Sequence, residues 1–328
     1  MFFHPSRLNI VQRWILGNEG LEKLEEFQRH DFRELFKAMK NKPVTIRLLD
    51  PPLHEFLPHA DQINDDIAKK LGYDDAQKLL SRIESMHEEN PMLGYRGCRL
   101  GIVRHELTEM QVRAIMYAAA DVLKANTNGN IPHPRIMIPL VGCIKEFEDQ
   151  ALLIKKVVEK VLLDVKMKIR YEIGSMIEVP RAALISDKIA SLKDEDGMPL
   201  CSFFSFGTND LTQMTMGISR DDSNTFIPKY LETGIYDEDP FQTIDEEGVG
   251  YLVQKSSMDG KRVNPKLSLS VCGEQGGDPK SIQFFHSIGC LNYVSCSPFR
   301  VPIARLACGQ AAALHHNDDE HLVKNYVV

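Results

Sequence analysis

The chain has 328 residues, and 39 Lys+Arg against 46 Asp+Glu give a formal net charge of −7. That balance excludes the clustered cationic excess of a non-specific nucleic-acid binder. Hydrophobic residues at 43% and charged residues at 26% exclude wholesale disorder. A chain this long buries roughly three quarters of its unfolded surface and needs no disulfide or metal staple. No apolar run reaches the ~18 residues of a membrane-spanning helix. The start, Met1-Phe2-Phe3-His4-Pro5-Ser6-Arg7, lacks the basic flank, apolar core and cleavage site of a secretory signal. Seven cysteines, an odd number without a CxxC, read as reduced thiols of an intracellular protein.

In chain order, residues 1–41 are charged and helical in pattern, with Leu21, Leu24, Phe27, Phe32, Leu35, Phe36 and Met39 at helical spacing. Pro43 stops that run, and 44–49 reads as a short buried strand broken by Asp50-Pro51-Pro52. Residues 58–90 are polar and read as a helical insertion. After Gly94, strands and helices alternate. Strands are expected at 98–103, 135–140, 171–177, 203–206, 267–271 and 292–295. Helices are expected at 107–123, 147–162, 181–189, 281–287 and 303–314. Residues 219–262, polar with scattered Gly and Pro, read as a long excursion above the sheet. Strand–helix alternation favours a parallel sheet. The seven segments read as strands stop one short of the eight in a (β/α)8 TIM barrel.

The polar residues collect at strand ends. Arg47 and Asp50 follow the first strand, and Arg96 and Arg99 lie in a Gly-rich turn. Glu178, then Thr208-Asn209-Asp210, then Cys272-Gly273-Glu274 end three later strands. In a parallel barrel all strand C-termini share one face, which holds the active site. Judged alone, Arg47 is equally well explained by an ion pair with Asp50 or Glu55, and Arg96 by a plain surface arginine. Two guanidinium forks at one mouth instead suit a phosphate. Asp210 alone is better explained as a helix cap. Two carboxylates from neighbouring strands repel unless a cation joins them, and hard oxygen ligands shared with a phosphorylated substrate suit Mg2+. Cys272 alone reads as a packing thiol; placed after a strand and before glycines, it suits a nucleophile or proton donor. The eleven histidines show no HExxH spacing, and neither GxGxxG nor GxxxxGK[ST] is present.

Six stretches carry a resemblance. They are Arg47-Leu48-Leu49-Asp50-Pro51-Pro52-Leu53-His54-Glu55-Phe56, Asn90-Pro91-Met92-Leu93-Gly94-Tyr95-Arg96-Gly97-Cys98-Arg99-Leu100, Gly174-Ser175-Met176-Ile177-Glu178-Val179-Pro180-Arg181-Ala182-Ala183-Leu184, Phe204-Ser205-Phe206-Gly207-Thr208-Asn209-Asp210-Leu211-Thr212-Gln213, Cys272-Gly273-Glu274-Gln275-Gly276-Gly277-Asp278-Pro279 and Val294-Ser295-Cys296-Ser297-Pro298-Phe299-Arg300-Val301-Pro302. In this order they resemble the C-terminal phosphoenolpyruvate/pyruvate-binding barrel of the phosphoenolpyruvate-utilising enzymes, in the wording of the pyruvate, phosphate dikinase branch. The resemblance implies a (β/α)8 TIM barrel over 43–328, with insertions near 58–90 and 219–262, and an N-terminal helical segment over 1–42 packed on it. It implies that Arg47 and Arg96 hold the phosphoryl group of phosphoenolpyruvate and that Glu178 and Asp210 bind Mg2+. It implies substrate contacts from Gly207, Thr208, Asn209 and Arg220, and a proton from Cys272 to the enolate carbon of pyruvate. The implied reaction passes the phosphoryl group between phosphoenolpyruvate and a phosphohistidine on a separate swivelling domain. A homodimer is implied as well.

Two departures stand out. The family carries His three residues after the cysteine, where this chain has Gln275. Gln keeps hydrogen bonding but cannot shuttle protons, which bears on the pH behaviour of Cys272. The nucleotide-binding and swivelling domains are absent, and the chain starts abruptly in helical sequence, so a piece of a longer enzyme is expected. Alone it is expected to bind phosphoenolpyruvate without turning over ATP and phosphate. The expected compartment is the cytoplasm, with a plastid or other organelle left open. Two competing readings of the same residues are a stand-alone phosphoenolpyruvate-sensing module and a Mg2+-dependent pyruvate aldolase or lyase.

Overall fold

A computed structural model of the chain describes residues 4–17, 19–125 and 129–315. Met1–Phe3 of the signal reading, and residues 316–328 of the expected 43–328 domain, lie outside the described residues. The fold is α/β. Its strands are β1 (Pro43–Arg47), β2 (His133–Ile138), β3 (Glu172–Ile177), β4 (Phe203–Gly207), β5 (Ser268–Cys272) and β6 (Tyr293–Val294). All six fall in one sheet in chain order, and the pairs β1–β2, β3–β4, β4–β5 and β5–β6 are parallel. Parallel neighbours need long crossovers, and helices supply them, such as Ile144–Val165 before β3 and Tyr251–Val263 before β5. β4 reads Phe-Phe-Ser-Phe-Gly and is buried throughout, as expected of a strand covered on both faces.

Contacts divide the chain into two units. The first is Met1–Ile138 with Asp149–Glu172, and the second is Pro139–Glu148 with Ile173–Val328. Within the first, helix Leu21–Met39 lies against helix His105–Ala125. Arg29 pairs with Asp121 at 2.7 Å, and Arg113 with Glu25 at 2.8 Å. A core of Val11, Trp14, Leu24, Phe56, Leu79, Leu100 and Met110 lies inside this unit. Within the second, Gly174 opens room for its neighbour: a Cβ there would stand 2.5 Å from the Phe203 ring. The polar excursion has a small apolar cluster of its own, Ile218, Ile227 and Phe241.

Six strands in one sheet are present among the described residues, against the eight of a closed barrel. One expectation is corrected. The expected strand at 98–103 is the helix Gly97–Val103. Its buried residues are Gly97, Cys98, Leu100 and Gly101, a helical spacing rather than a two-residue alternation. Gly101 is needed there, because a Cβ would stand 2.6 Å from Gln150 Oε1 and 2.8 Å from Thr108 Oγ1. Elsewhere the strands lie within a few residues of expectation. The polar stretch 219–262 runs into helix Tyr251–Val263, whose Ser256 and Ser257 are buried.

Candidate functional site

In the first unit, β1 ends at Arg47 and the chain runs on to Asp50. The Leu48 N–H donates to Met137 O (3.0 Å) and the Leu49 N–H to Gln111 Oε1 (2.8 Å), which extends the pairing past the strand and fixes the path to Asp50. Asp50 is buried, and its Oδ2 accepts from Arg96 Nη1 at 2.9 Å and lies 3.4 Å from Arg47 Nη1. Arg96 is buried too, and its Nε donates to Met92 O at 2.8 Å. Arg96 occupies the position just before helix Gly97–Val103, at the end of the Gly-rich turn. Arg99 is spent on the turn before it, donating to Leu93 O and Gly94 O. One carboxylate therefore gathers two guanidinium groups and leaves them with a net positive charge suited to an anion. Arg47 keeps 42% of its side chain exposed.

In the second unit, register brings three predicted residues to one level. Ile177 pairs with Phe206, and Gly207 with Cys272. Glu178, Gly207 and Cys272 thus end three adjacent strands. Glu178 is fully buried, and its Oε1 accepts from the Leu140 N–H at 2.6 Å. Leu140 adopts a left-handed φ of 56°, which costs free energy for a residue with a Cβ. The loop after it is pinned by Glu146 Oε2, which accepts from Gly142 N and Cys143 N, and by Arg181, which donates to Gly142 O. A Cβ on Gly207 would stand 2.7 Å from Glu178 Oε2 and 2.5 Å from Met176 Cε. Glycine therefore keeps space open beside that carboxylate.

Helix Thr208–Met216 begins directly after β4, with Asp210 in its first turn, where a carboxylate is favoured by the helix dipole. Gly207 is the capping position, so the reading of Asp210 as the helix cap is corrected. Asn209 Oδ1 accepts from the Glu274 N–H at 3.0 Å. Thr208 Oγ1 lies 3.1 Å from Cys272 O and 2.6 Å from Gln275 Oε1. The Cys272 thiol is half-buried, and Ser205 Oγ donates to its Sγ at 3.3 Å. Gly273 turns the chain at φ 116°, and a Cβ there would meet Thr208 Oγ1 at 2.4 Å. Thr208, Asn209, Cys272 and Gln275 are thus brought together. Arg220 is exposed, its backbone N–H bonds to Gln213 Oε1 at 2.9 Å, and its side chain makes no hydrogen bond or ion pair among the described residues.

Among the described residues no group of three or more His, Cys, Asp or Glu is arranged to hold a metal ion. Mg2+ needs no such cage, because it keeps several waters and takes one or two carboxylates. The oxygen donor set Glu178 and Asp210, with the space that Gly207 keeps open beside Glu178 Oε2, fits that cation. Sequence reasoning assigned no role to Ser205, to the shared use of Asp50, to Leu140 or to the Gln275 contacts. Asp50 carried a signal, as a carboxylate three residues from Arg47, and Gln275 carried one, standing where the family has His.

The family profile described as the PEP-utilising enzyme, PEP-binding domain, matches residues 7–313. The chain is 49% identical over 318 residues to pyruvate, phosphate dikinase 1, chloroplastic, of Arabidopsis thaliana, covering 94% of this chain and 32% of that one. It is 46% identical over 318 residues to pyruvate, phosphate dikinase of Clostridium symbiosum, covering 95% and 35%. For pyruvate, phosphate dikinase 2 of Oryza sativa subsp. japonica the identity is 52% over 320 residues, covering 94% and 34%. The chain spans about a third of the length of these curated relatives. With nearly its whole length inside one profile, the chain belongs to the PEP-utilising enzymes, as their PEP-binding domain.

Proposed function

We propose that the chain binds phosphoenolpyruvate and pyruvate and carries out the pyruvate-side half of a dikinase reaction, exchanging the phosphoryl group with a phosphohistidine on a separate swivelling domain. The observation that carries this is the row of Glu178, Gly207 and Cys272 at the ends of three adjacent parallel strands, the face on which such folds place their chemistry. Arg47 and Arg96, oriented by Asp50, bind the phosphoryl oxygens bidentately. Glu178 and Asp210 hold Mg2+, which when bound offsets negative charge on the substrate. Asn209, braced by the Glu274 N–H, and the backbone of Gly207 and Thr208 orient the substrate, and Arg220 is a further anion contact. The P–O bond of phosphoenolpyruvate breaks, the phosphoryl group goes to the carrier histidine, and the electron pair stays on the pyruvate enolate. Cys272 then gives its thiol proton to the methylene carbon, which becomes the methyl group of pyruvate, and the thiolate keeps the S–H electron pair. In the reverse direction the thiolate takes that proton back.

The reading includes a barrel domain over 43–328, closed by eight strands, with the helical segment 1–42 packed on it. Six parallel strands in chain order are consistent with part of such a barrel. It includes a homodimer, and a cytoplasmic or plastid location, since relatives include chloroplastic and bacterial proteins. No helix among the described residues is long and apolar enough to cross a membrane.

Calorimetric titration of phosphoenolpyruvate with Mg2+, with chelator, and into Glu178→Ala tests the reading. The expected result is Mg2+-dependent binding that weakens at least about tenfold, some 1.4 kcal/mol, in the variant. Binding indifferent to both chelator and variant, or no binding, would overturn it.

A further inference from the structure

We infer that Gln275 is a positioning residue that ties the turn bearing Cys272 both to the helix starting at Thr208 and to the polar excursion at Pro240, and so fixes where the thiol is presented. This rests on the assignment of Cys272 as proton donor made above. Gln275 is fully buried, and a buried amide is costly unless its donors and acceptor are used. Its Nε2 stands 2.9 Å from Pro240 O. A peptide carbonyl only accepts, so the group facing it is the NH2, and the amide oxygen faces Thr208. There Oε1 accepts from Thr208 Oγ1 at 2.6 Å, while Nε2 reaches Thr212 Oγ1 at 3.5 Å. The same Thr208 hydroxyl lies 3.1 Å from Cys272 O. Its one proton is therefore placed between two acceptors that bracket Gly273, on the turn that follows the thiol.

The excursion has other anchors. The Ile244 N–H donates to Ser281 Oγ at 2.9 Å, Lys280 pairs with Glu238, and the Arg220 N–H bonds to Gln213. None of these reaches the turn at 272–275. Gln275 makes that link from full burial, through groups that do not titrate between about pH 4 and 9. Its bonds go to Thr208, Thr212 and Pro240, on the turn side of the site, so the expected loss falls more on the proton step than on binding.

Hydrogen–deuterium exchange of the whole chain, read by peptide mass, tests the tie with two variants. Gln275→Met keeps volume and makes no hydrogen bond; Gln275→Glu keeps the acceptor for Thr208 and loses the donor to Pro240. In the Met variant, amide exchange is expected to rise about tenfold in peptides covering 219–245 and 272–278, and to stay unchanged in β1 and β2. In the Glu variant it is expected to rise in 219–245 alone. With Mg2+ and phosphoenolpyruvate, affinity of the Met variant is expected within about twofold of wild type, while its exchange of pyruvate methyl protons into D2O falls at least about tenfold. Unchanged amide exchange at 272–278 in the Met variant would overturn the inference. So would a uniform rise across the chain, or an equal fall in affinity and proton exchange. A wild-type chain that neither binds phosphoenolpyruvate nor exchanges methyl protons would sink the functional reading, and the amide pattern would still decide the tie.

Discussion

The arginine cluster and the strand-end row are built on opposite principles. Arg47 and Arg96 come from a strand end and a helix start, and a single buried carboxylate, Asp50, gathers them. Glu178, Gly207 and Cys272 are placed by strand register, and are then trimmed by backbone donors and by the absence of a Cβ at 207. The first arrangement is electrostatic and has one point of failure. The second is steric and distributed. Charge can be gathered cheaply where a partner is buried with it. The carboxylate and the thiol at the strand ends are instead held by register and by close-packed backbone.

The sharpest way to break the contrast is Asp50→Ala. It leaves the Arg96 guanidinium buried without its carboxylate, which is expected to cost about 3–5 kcal/mol in chemical denaturation. Asp50→Asn is expected to cost less, because the amide oxygen still accepts from Arg96. A smaller effect is expected from the same kind of probe on the steric side. Gly207 has an ordinary φ of −84°, so Gly207→Ala adds no dihedral strain, only overlap with Glu178 and Met176. About 1–3 kcal/mol of stability is expected to go, with weaker Mg2+ binding by calorimetry. Equal losses from both substitutions would erase the distinction.

Two further measurements sharpen it. Burial pushes the Cys201 thiol up to about 12, whereas Cys272 is half-buried at a strand end. Iodoacetamide at pH 8 is expected to label Cys272 well before Cys201, as peptide mass mapping would show. In the charge-built unit, His133 lies 2.9 Å from Glu172, which also pairs with Arg135 and Arg170. Burial holds the His133 imidazole below its ordinary 6.5, against the opposing pull of Glu172. A histidine with a lowered folded value binds its proton first in the unfolded chain. Stability is therefore expected to fall as pH drops below about 6.5, and to level off once the folded value is passed. The melting temperature of His133→Gln is expected to decline less between pH 7.5 and 5.5 than that of the wild type.

The strand ends were legible because breakers mark them. Glu178-Val179-Pro180, Gly207-Thr208 and Cys272-Gly273 each follow an apolar run, and the structure puts them within a residue or two of expectation. The helix at Gly97–Val103 misled because a short apolar run does not declare its period, and its last residue, Val103, is exposed. Gln275 was marked in the sequence only as a replacement for His, and its tie was not legible, since its partners Thr208 and Pro240 are remote along the chain and meet it only through the fold. An ion pair of Arg47 with Asp50 was open from their spacing of three residues, but no local sign showed that Arg96 would reach the same carboxylate.

Leu140 has no sequence signal at all, since leucine is a poor choice for a left-handed turn. Its dihedrals favour glycine, while its fully buried side chain demands a large apolar residue. No proteinogenic amino acid satisfies both demands. A saturation library at this position would therefore have no close runner-up: glycine would relieve the backbone and open a hole, and a β-branched residue would fill the hole and resist the turn. Mutational tolerance at Leu140 would be narrow on both sides of the size scale, although its side chain is not assigned to any ligand.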